Sequence, residues 1–497
     1  YGFTKSDITK CAYAQALMAP PVFAPYQPDG SFTIFDSLLL GTDRGLQNPL
    51  ALTRAINRGK TYTLLGSLSL EYDILKGLKY RTTASANFSS YRQLNYIPGF
   101  VEIGLPSALT GASSNGGIAT QASNESINMF FENTLTWDRQ FNSESRLNLL
   151  AGTSWEKYQS EFFSAEGRGF PDDVLLNNLN SAAQATQVKG SNPLNQNALL
   201  SYYTRANYAW KERYLFTFTG RADISSKFGK GKQTGYFPSG AVAWRISEEP
   251  FLRSESWINE IKIRLSAGYT GSQSIADNMF RTLFTPTSYA GHSAVVPSQL
   301  GNNEIKWERT FQKDIGLDFA LFNSRWQGTI AYYHKKTDGL LLNITPPPSY
   351  AFGSVVMNIA SVINKGLEFD LRGDIIRSSS FTWNTALNIS GNRSVVTKVN
   401  GGPFSDPNDR NNPNIGSSVV IEGQPLGLLY GWVALGIFNS EKDLNEYKSK
   451  VVYAVQRNRF LDLGEVKYDT INGATSLTKM DVIGHTTPDF FGGFTNT

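Results

Sequence analysis

Apolar side chains occupy every second position in about a dozen runs of nine to fifteen residues between Tyr62 and Phe494. In residues 78–88 the apolar phase is Leu78, Tyr80, Thr82, Ala84, Ala86 and Phe88, with Lys79, Arg81, Thr83, Ser85 and Asn87 between them. Residues 261–270 set Ile261, Ile263, Leu265, Ala267 and Tyr269 against Lys262, Arg264, Ser266, Gly268 and Thr270. Residues 200–211 repeat the pattern, with Leu200, Tyr202, Thr204, Ala206, Tyr208 and Trp210 in one phase. A period of two sends the two sets to opposite faces of a pleated strand. Soluble sandwiches alternate as well, but their strands usually run about five or six residues, whereas a tilted membrane-crossing strand needs about nine to eleven. Charge in the second phase suits a water-filled interior, because a packed core makes unpaired charge costly.

The pattern predicts thirteen strands, over residues 62–75, 78–92, 126–139, 144–158, 196–211, 213–225, 236–246, 260–271, 308–321, 324–337, 360–374, 380–392 and 488–497. Two kinds of connection alternate between them. Lys76-Gly77, 140–143, Lys211-Glu212, Phe322-Asn323 and 375–379 are tight, and 247–259, with Pro250, is a longer member of that class. Residues 93–125, 159–195, 272–307, 338–359 and 393–487 are long, with 226–235 as the short member. The fold class expected is therefore all-β, an antiparallel transmembrane β-barrel with short periplasmic turns and long extracellular loops. Trp137, Tyr208, Trp210 and Tyr214 stand in the apolar phase near tight turns, where an interfacial aromatic girdle sits. Thirteen is odd, whereas single-chain bacterial barrels have even strand numbers. The segment before Tyr62 reads as the end of a long loop and the last run stops at Thr497, so the chain is expected to be part of a larger barrel.

Composition changes this picture little. The 497 residues include 13% aromatics and 44 Gly, and the longest apolar runs fall short of the roughly eighteen to twenty residues of a transmembrane helix. Barrels escape that measure because only alternate residues meet lipid. The net charge of +4 is scattered along the chain and gives no case for nucleic-acid binding. Cys11 is the single cysteine, which excludes an intrachain disulfide and offers no thiolate cluster to a metal. No signal peptide heads the chain, which reads as mature sequence.

Particular stretches are familiar. Residues 235–245 (GYFPSGAVAWR), Pro250-Phe251-Leu252 and 261–275 (IKIRLSAGYTGSQSI) resemble the barrel of SusC/RagA-type TonB-dependent outer-membrane transporters. The resemblance continues through 300–341, 358–371 (NIASVINKGLEFDL), 422–438 (EGQPLGLLYGWVALGIF) and 483–496 (IGHTTPDFFGGFTN). Before residue 200 it is looser, carried by 21–32 (PVFAPYQPDGSF) and Asn48-Pro49-Leu50-Ala51. The resemblance implies a 22-stranded barrel around an N-terminal plug, in the outer membrane of Bacteroidota-like bacteria. It implies active import of oligosaccharides or peptides (glycan or peptide nutrient uptake), energised by the TonB complex, with a SusD-like surface lipoprotein as a hinged lid. Dimers of transporter-lipoprotein pairs are frequent in that family. Residues 1–497 would then be part of a single barrel domain, with plug, TonB box and signal peptide outside this chain.

The residues that carry chemistry are few. His292, His334 and His485 lie in different segments without metal-ligand spacing, so the chain is not expected to be an enzyme, although hydrolases on barrels exist. Residues 229–235 (GKGKQTG) lack the phosphate-loop spacing and join two strands, which makes them a hairpin loop. Family members often carry an Asp-rich stretch before the motif matched by Ile483-Gly484; here 467–473 is KYDTING, followed by Asp481. That stretch leaves too few carboxylates for the six to eight oxygens calcium takes; Asp406, Asn408, Asp409 and Asn411 offer a second place for a calcium ion, against the plainer reading of a polar surface loop that lacks an acidic residue at a ligand spacing, and no other cofactor or metal is expected. A saccharide or peptide would be held by aromatic faces and polar groups on long loops, for which Tyr289, Tyr350, Phe352, Asn408 and Asn411 are the candidates. A passive porin or a surface adhesin would show the same alternation, and a plug with a TonB box upstream distinguishes the importer from both.

Overall fold

The computed structural model describes residues 2–7, 10–19, 22–35, 47–105, 116–174, 178–183, 187–344, 346, 348–399, 418–419, 421–450, 462–469 and 480–497. Two compact units emerge, and their boundary cuts several long strands part-way along.

The first unit comprises Tyr1–Leu70, Thr82–Glu132 and Trp155–Ala198. Its strands are β1 (Gly2–Asp7) and the corresponding parts of β2 (Ile56–Leu75), β3 (Leu78–Ile97), β4 (Ile118–Asn142), β5 (Ser145–Arg168) and β6 (Gln187–Trp210), paired in that order. A small core of Tyr96, Ala119 and Phe170 lies at the long-loop ends of these strands. Tyr96 donates a 2.6 Å hydrogen bond to Asp173, and burial together with that carboxylate pushes its phenol pKa up. Two helices precede the sheet, α1 (Lys10–Met18) and α2 (Pro49–Leu52). The buried Asn48 caps α2 through Oδ1 and donates its amide to the carbonyls of Pro25 and Thr33 at 2.7 and 3.0 Å. Pro49, placed at the first helical position, loses no intrahelical bond there. This accounts for the Asn48-Pro49-Leu50-Ala51 stretch as a local stop in a non-strand segment.

The second unit comprises Glu71–Arg81, Asn133–Ser154 and Leu199–Thr497. After its parts of β2 to β6 come β7 (Tyr214–Ser225), β8 (Thr234–Tyr236), β9 (Ser239–Arg245), β10 (Ile258–Ser272), β11 (Leu283–Tyr289), β12 (His292–Gln299), β13 (Glu308–Leu321) and β14 (Trp326–Ile344). They are followed by β15 (Val355–Arg377), β16 (Thr382–Val399), β17 (Ser418–Val419), β18 (Leu428–Trp432), β19 (Ala434–Ile437), α3 (Glu441–Lys450), β20 (Val466–Tyr468), β21 (Met480–His485) and β22 (Phe490–Asn496). The main sheet runs β2-β3-β4-β5-β6-β7-β9-β10-β13-β14-β15-β16-β22, with β8 added to β7. From β6 to β16 each of these neighbours is antiparallel, in near-continuous register.

All thirteen expected runs are strands, and most extend several residues further toward the long connections than alternation alone reached. The run at 236–246 is split, because Pro238 supplies no ladder N–H and the chain breaks between β8 and β9. The tight turns stand where expected: Lys211 and Glu212 both take left-handed backbone angles, at φ 53° and 52°. Three findings differ from the expectation. The first segment contains β1, α1 and α2; the 272–307 connection contains the β11–β12 hairpin; and short strands with α3 occupy the 393–487 connection.

The accessible phase is the apolar one. Leu265 is 50% exposed, Phe218 55%, Ile315 49% and Leu367 55%, each in the apolar phase of its strand. Soluble monomers rarely expose apolar patches of more than a few hundred Å², whereas a lipid-facing sheet must do so along every strand. At the tight-turn end the same face carries stacked aromatics. Trp210 and Tyr214 lie 5.4 Å apart between ring centres, and Tyr214 and Trp244 6.5 Å. Lys211 sits over the Trp210 ring and Arg139 over Trp137. Rings with one apolar and one wet side suit a membrane interface.

Candidate functional site

The polar phase of β10 to β16 forms a wall in which many charged and polar groups bond one another across the strands. Register fixes it: Lys262 stands opposite Asp318, and Ser266 opposite Asp314. The Lys262 ammonium is 2.9 Å and the Arg264 guanidinium 3.3 Å from the Asp318 carboxylate, which also accepts from the Thr329 hydroxyl at 3.1 Å. Asp314 accepts from Ser266 at 3.1 Å and from Gln312 at 2.7 Å. Glycine makes room where these side chains lie across the sheet. A Cβ on Gly316 would fall 2.7 Å from the Arg264 guanidinium carbon, and one on Gly366 would fall 2.6 Å from the Tyr333 hydroxyl oxygen. Tyr333 crosses Gly366 and donates to Asn392 at 3.0 Å, while Lys335 caps its ring at 4.7 Å. A second group on β6 and β7 has Arg221 bound to Asp223 and Ser201 and set over the Tyr203 ring. Paired charges, hydroxyls, amides and aromatic faces are what a polar, hydrogen-bonding solute meets favourably.

At the long-loop end of this wall a core fixes the rim. Phe228, Phe237, Ile305, Trp307 and Val356 are buried together, and the Trp307 indole donates to the Gln233 carbonyl at 2.8 Å. Residues 229–233 lie in the connection between β7 and β8 and Thr234-Gly235 open β8, as expected of a hairpin loop, and Lys232 pairs with Glu304 at 2.8 Å. Asn358 bridges the strands by donating to the carbonyls of Lys306 and Gly339 and accepting from the Lys306 amide. The connections between β10 and β13 and between β14 and β15 therefore start from a rigid base.

Above that base the loop candidates separate. Phe352 packs edge-on against Phe284 in β11, with ring centres 6.5 Å apart, and the Leu300 amide donates to the Ser354 carbonyl, so the β11–β12 hairpin is joined to the 348–354 segment. Tyr350 sits in the 3₁₀ turn Pro348–Tyr350 and is half exposed. Tyr289 is at the hairpin tip and 79% exposed, five residues along the strand from Phe284 or about 16 Å at the usual rise. Phe352 and the hairpin are brought together, whereas Tyr289 stands exposed at the tip. Asp406, Asn408, Asp409 and Asn411 lie outside the described residues, as do Thr470 to Gly473. Among the described residues no group of three or more His, Cys, Asp or Glu is placed to hold a metal ion. His292, His334 and His485 fall on β12, β14 and β21. Sequence reasoning had isolated the polar phase of β10 but not its partners Asp314 and Asp318, whose signal was the matching alternation in residues 308–321.

The comparisons with known proteins follow the same lines. The family model described as TonB dependent receptor-like, beta-barrel matches residues 20–494. The TonB-dependent receptor P3 of Formosa agariphila is 32% identical, covering 99% of this chain and 47% of that protein. The TonB-dependent receptor SusC of Bacteroides thetaiotaomicron is 36% identical over 51% of this chain and 24% of its own length. Among solved structures, the RagAB peptide transporter superposes with a TM-score of 0.72 at 20% identity, covering 95% of this chain and 49% of that one. The chain spans about half the length of the curated relatives it matches across its whole extent. The expected likeness to SusC and RagA is borne out, and the relatives are named as receptors rather than enzymes. An antiparallel sheet with an apolar exposed phase, a polar wall behind it and these relatives place the chain in the TonB-dependent receptor family, of SusC/RagA type, as β-barrel wall in the bacterial outer membrane.

Proposed function

We propose that the intact protein is an active importer of oligosaccharides or peptides, energised through TonB and served by a SusD-like lipoprotein lid. The observation that carries this reading is the wall of Lys262, Arg264, Asp314, Asp318, Tyr333 and Asn392, which offers donors, acceptors and ring faces along the strands rather than an apolar or single-sign lining. Such a surface favours polar oligomers that exchange one hydrogen bond for another as they move. The names of the relatives point the same way, SusC and a peptide transporter among them. The β11–β12 hairpin, with Tyr289 at its tip, and the joined 348–354 segment are the parts of this chain that would meet the solute or the lid first. The test is uptake of labelled oligosaccharide and peptide mixtures by cells carrying the full-length protein, with and without its TonB-interacting segment and with and without a co-expressed SusD-like lipoprotein. Loss of uptake when either is removed is the expected result; uptake indifferent to both would establish a passive pore instead.

A further inference from the structure

On the exposed apolar face of the second unit, the registers of β13 to β16 align four basic residues into one row. Lys313 stands opposite His334, His334 opposite Lys365, and Lys365 opposite Arg393. The next row toward the tight turns is Ile315, Tyr332, Leu367 and Gly391, and its three large side chains are exposed. The basic row thus belongs to the lipid-facing phase and not to the wall, whose Asp314, Tyr333 and Asn392 point the other way. Lys313, Lys365 and Arg393 are exposed and His334 is half-buried. Toward the long loops the same face carries Lys336, 3.2 Å from Asp338, and Arg309, stacked 4.5 Å over the Tyr269 ring. Among the described residues no carboxylate pairs with Lys313, Lys365 or Arg393.

Height explains why such a row is tolerated. Lys313 is eight residues from the tight-turn end of β13 at Leu321, about 26 Å along the strand and about 20 Å along the membrane normal at a tilt of roughly 40°. That is near the upper edge of an apolar band about 25 Å tall, where the cost of a lipid-facing Lys or Arg, large at the midplane, nearly vanishes. Apolar room lies directly beside the row. A depression of about 860 Å³, lined by Ala206, Phe218, Gly240, Leu265 and Tyr332, reaches Lys313 and His334. A second, of about 590 Å³, holds Leu367 and Leu426 beside Lys365, Arg393 and His485, with Asp489 the one carboxylate in its lining.

We propose that Lys313, His334, Lys365 and Arg393 bind the phosphate-bearing headgroup of an outer-leaflet lipid, with its acyl chain in the depression beneath Lys313. Three cations in register, none paired with a carboxylate among the described residues, give an anion several charge-assisted contacts at once, and the groove beneath Lys313 takes the chain attached to it. The site depends on the face assignment and not on what the protein imports.

Delipidated full-length protein in a neutral detergent is titrated by native mass spectrometry with bis-phosphorylated lipid A and with its dephosphorylated form. At least tenfold tighter binding of the phosphorylated form is expected. The triple variant K313Q/K365Q/R393Q loses that preference, whereas the charge-matched variant K76Q/R139Q/K211Q, at the tight-turn rim, keeps it. K365Q and R393Q measured singly each lower it about threefold and carry the comparison where the triple variant does not fold. Equal binding of the two lipid forms, or an equal loss in the charge-matched variant, overturns the proposal. Displacement of the lipid by an equal concentration of inorganic phosphate also overturns it, since it marks a free-anion site.

Discussion

The Tyr333 ring passes over the backbone of Gly366, the residue directly opposite it on β15, and its hydroxyl reaches Asn392 on the strand beyond. A Cβ at position 366 would sit 2.6 Å from the phenolic oxygen and 2.7 Å from the Gly391 carbonyl oxygen, so both a ring and a neighbouring strand would have to move. Gly366→Ala is expected to destabilise the full-length protein by about 1–3 kcal/mol, as overpacking does. Tyr333→Phe, which keeps the ring and gives up the hydrogen bond, costs less, about 0.5–1.5 kcal/mol. Thermal unfolding in detergent ranks the two variants, and the reverse order contradicts the packing account.

At the tight-turn rim the Glu249 carboxylate accepts from the Tyr214 hydroxyl at 2.7 Å and from the Trp244 indole at 3.0 Å, with Arg213 3.2 Å away. The Tyr214 bond first, then the Trp244 bond and the Arg213 charge, hold Glu249 below its ordinary value of 4.5. A carboxyl whose folded-state pKa is depressed contributes stability above the unfolded value and loses it as pH falls through the folded one. Wild-type Tm should therefore drop below about pH 4.5 more than that of Glu249→Gln, while the variant is the less stable of the two at pH 7. Parallel Tm curves across that range would contradict the assignment.

Trp307 holds the rim together by burial and by one bond. It packs on Phe228 and Phe237 at 5.2 and 5.5 Å between ring centres and donates to the Gln233 carbonyl. Trp307→Ala should cost about 3–5 kcal/mol and speed amide exchange at Ser225, whose N–H also bonds to Gln233. A variant with wild-type exchange at that amide would show that the loop is fixed by other means.

In the first unit, Asp173 accepts both from Tyr96 and from the Gly99 amide, at 2.6 and 2.8 Å. Asp173→Ala leaves a buried phenol and a backbone N–H without that acceptor, a loss of about 1–3 kcal/mol. Hydrogen exchange at Gly99 should accelerate in the variant and stay slow in Tyr96→Phe, which keeps the carboxylate.

The strands were legible because period two survives any loop length, as in Ile261 to Thr270, where each phase proved to be one face. The β11–β12 hairpin was not. Pro286 and Pro297 remove ladder donors from its strands, so both runs read as loop, and its turn is Ala290-Gly291 rather than the usual Asn-Gly. The wall was legible as a polar phase but not as pairs: Asp318 lies fifty-four residues from Arg264, and only register brings them together. Gly366 gave no sign of its role, since the ring that needs the space is on another strand. The loop candidates were chosen by residue type alone, and type does not say that Phe352 is joined to Phe284 while Tyr289 stands exposed at a tip.

The polar wall, the aromatic rim and the basic row all depend on one phase facing lipid and the other facing water. In full-length protein carrying Cys11→Ser, single cysteines at Ile263, Leu265 and Ala267 and at Arg264, Ser266 and Thr270 can be reacted with a membrane-impermeant maleimide in native outer membranes. Labelling of the second set, with the first protected until the membrane is dissolved, is the predicted result. Uniform labelling along β10, or protection of the polar phase with labelling of the apolar one, would contradict the account.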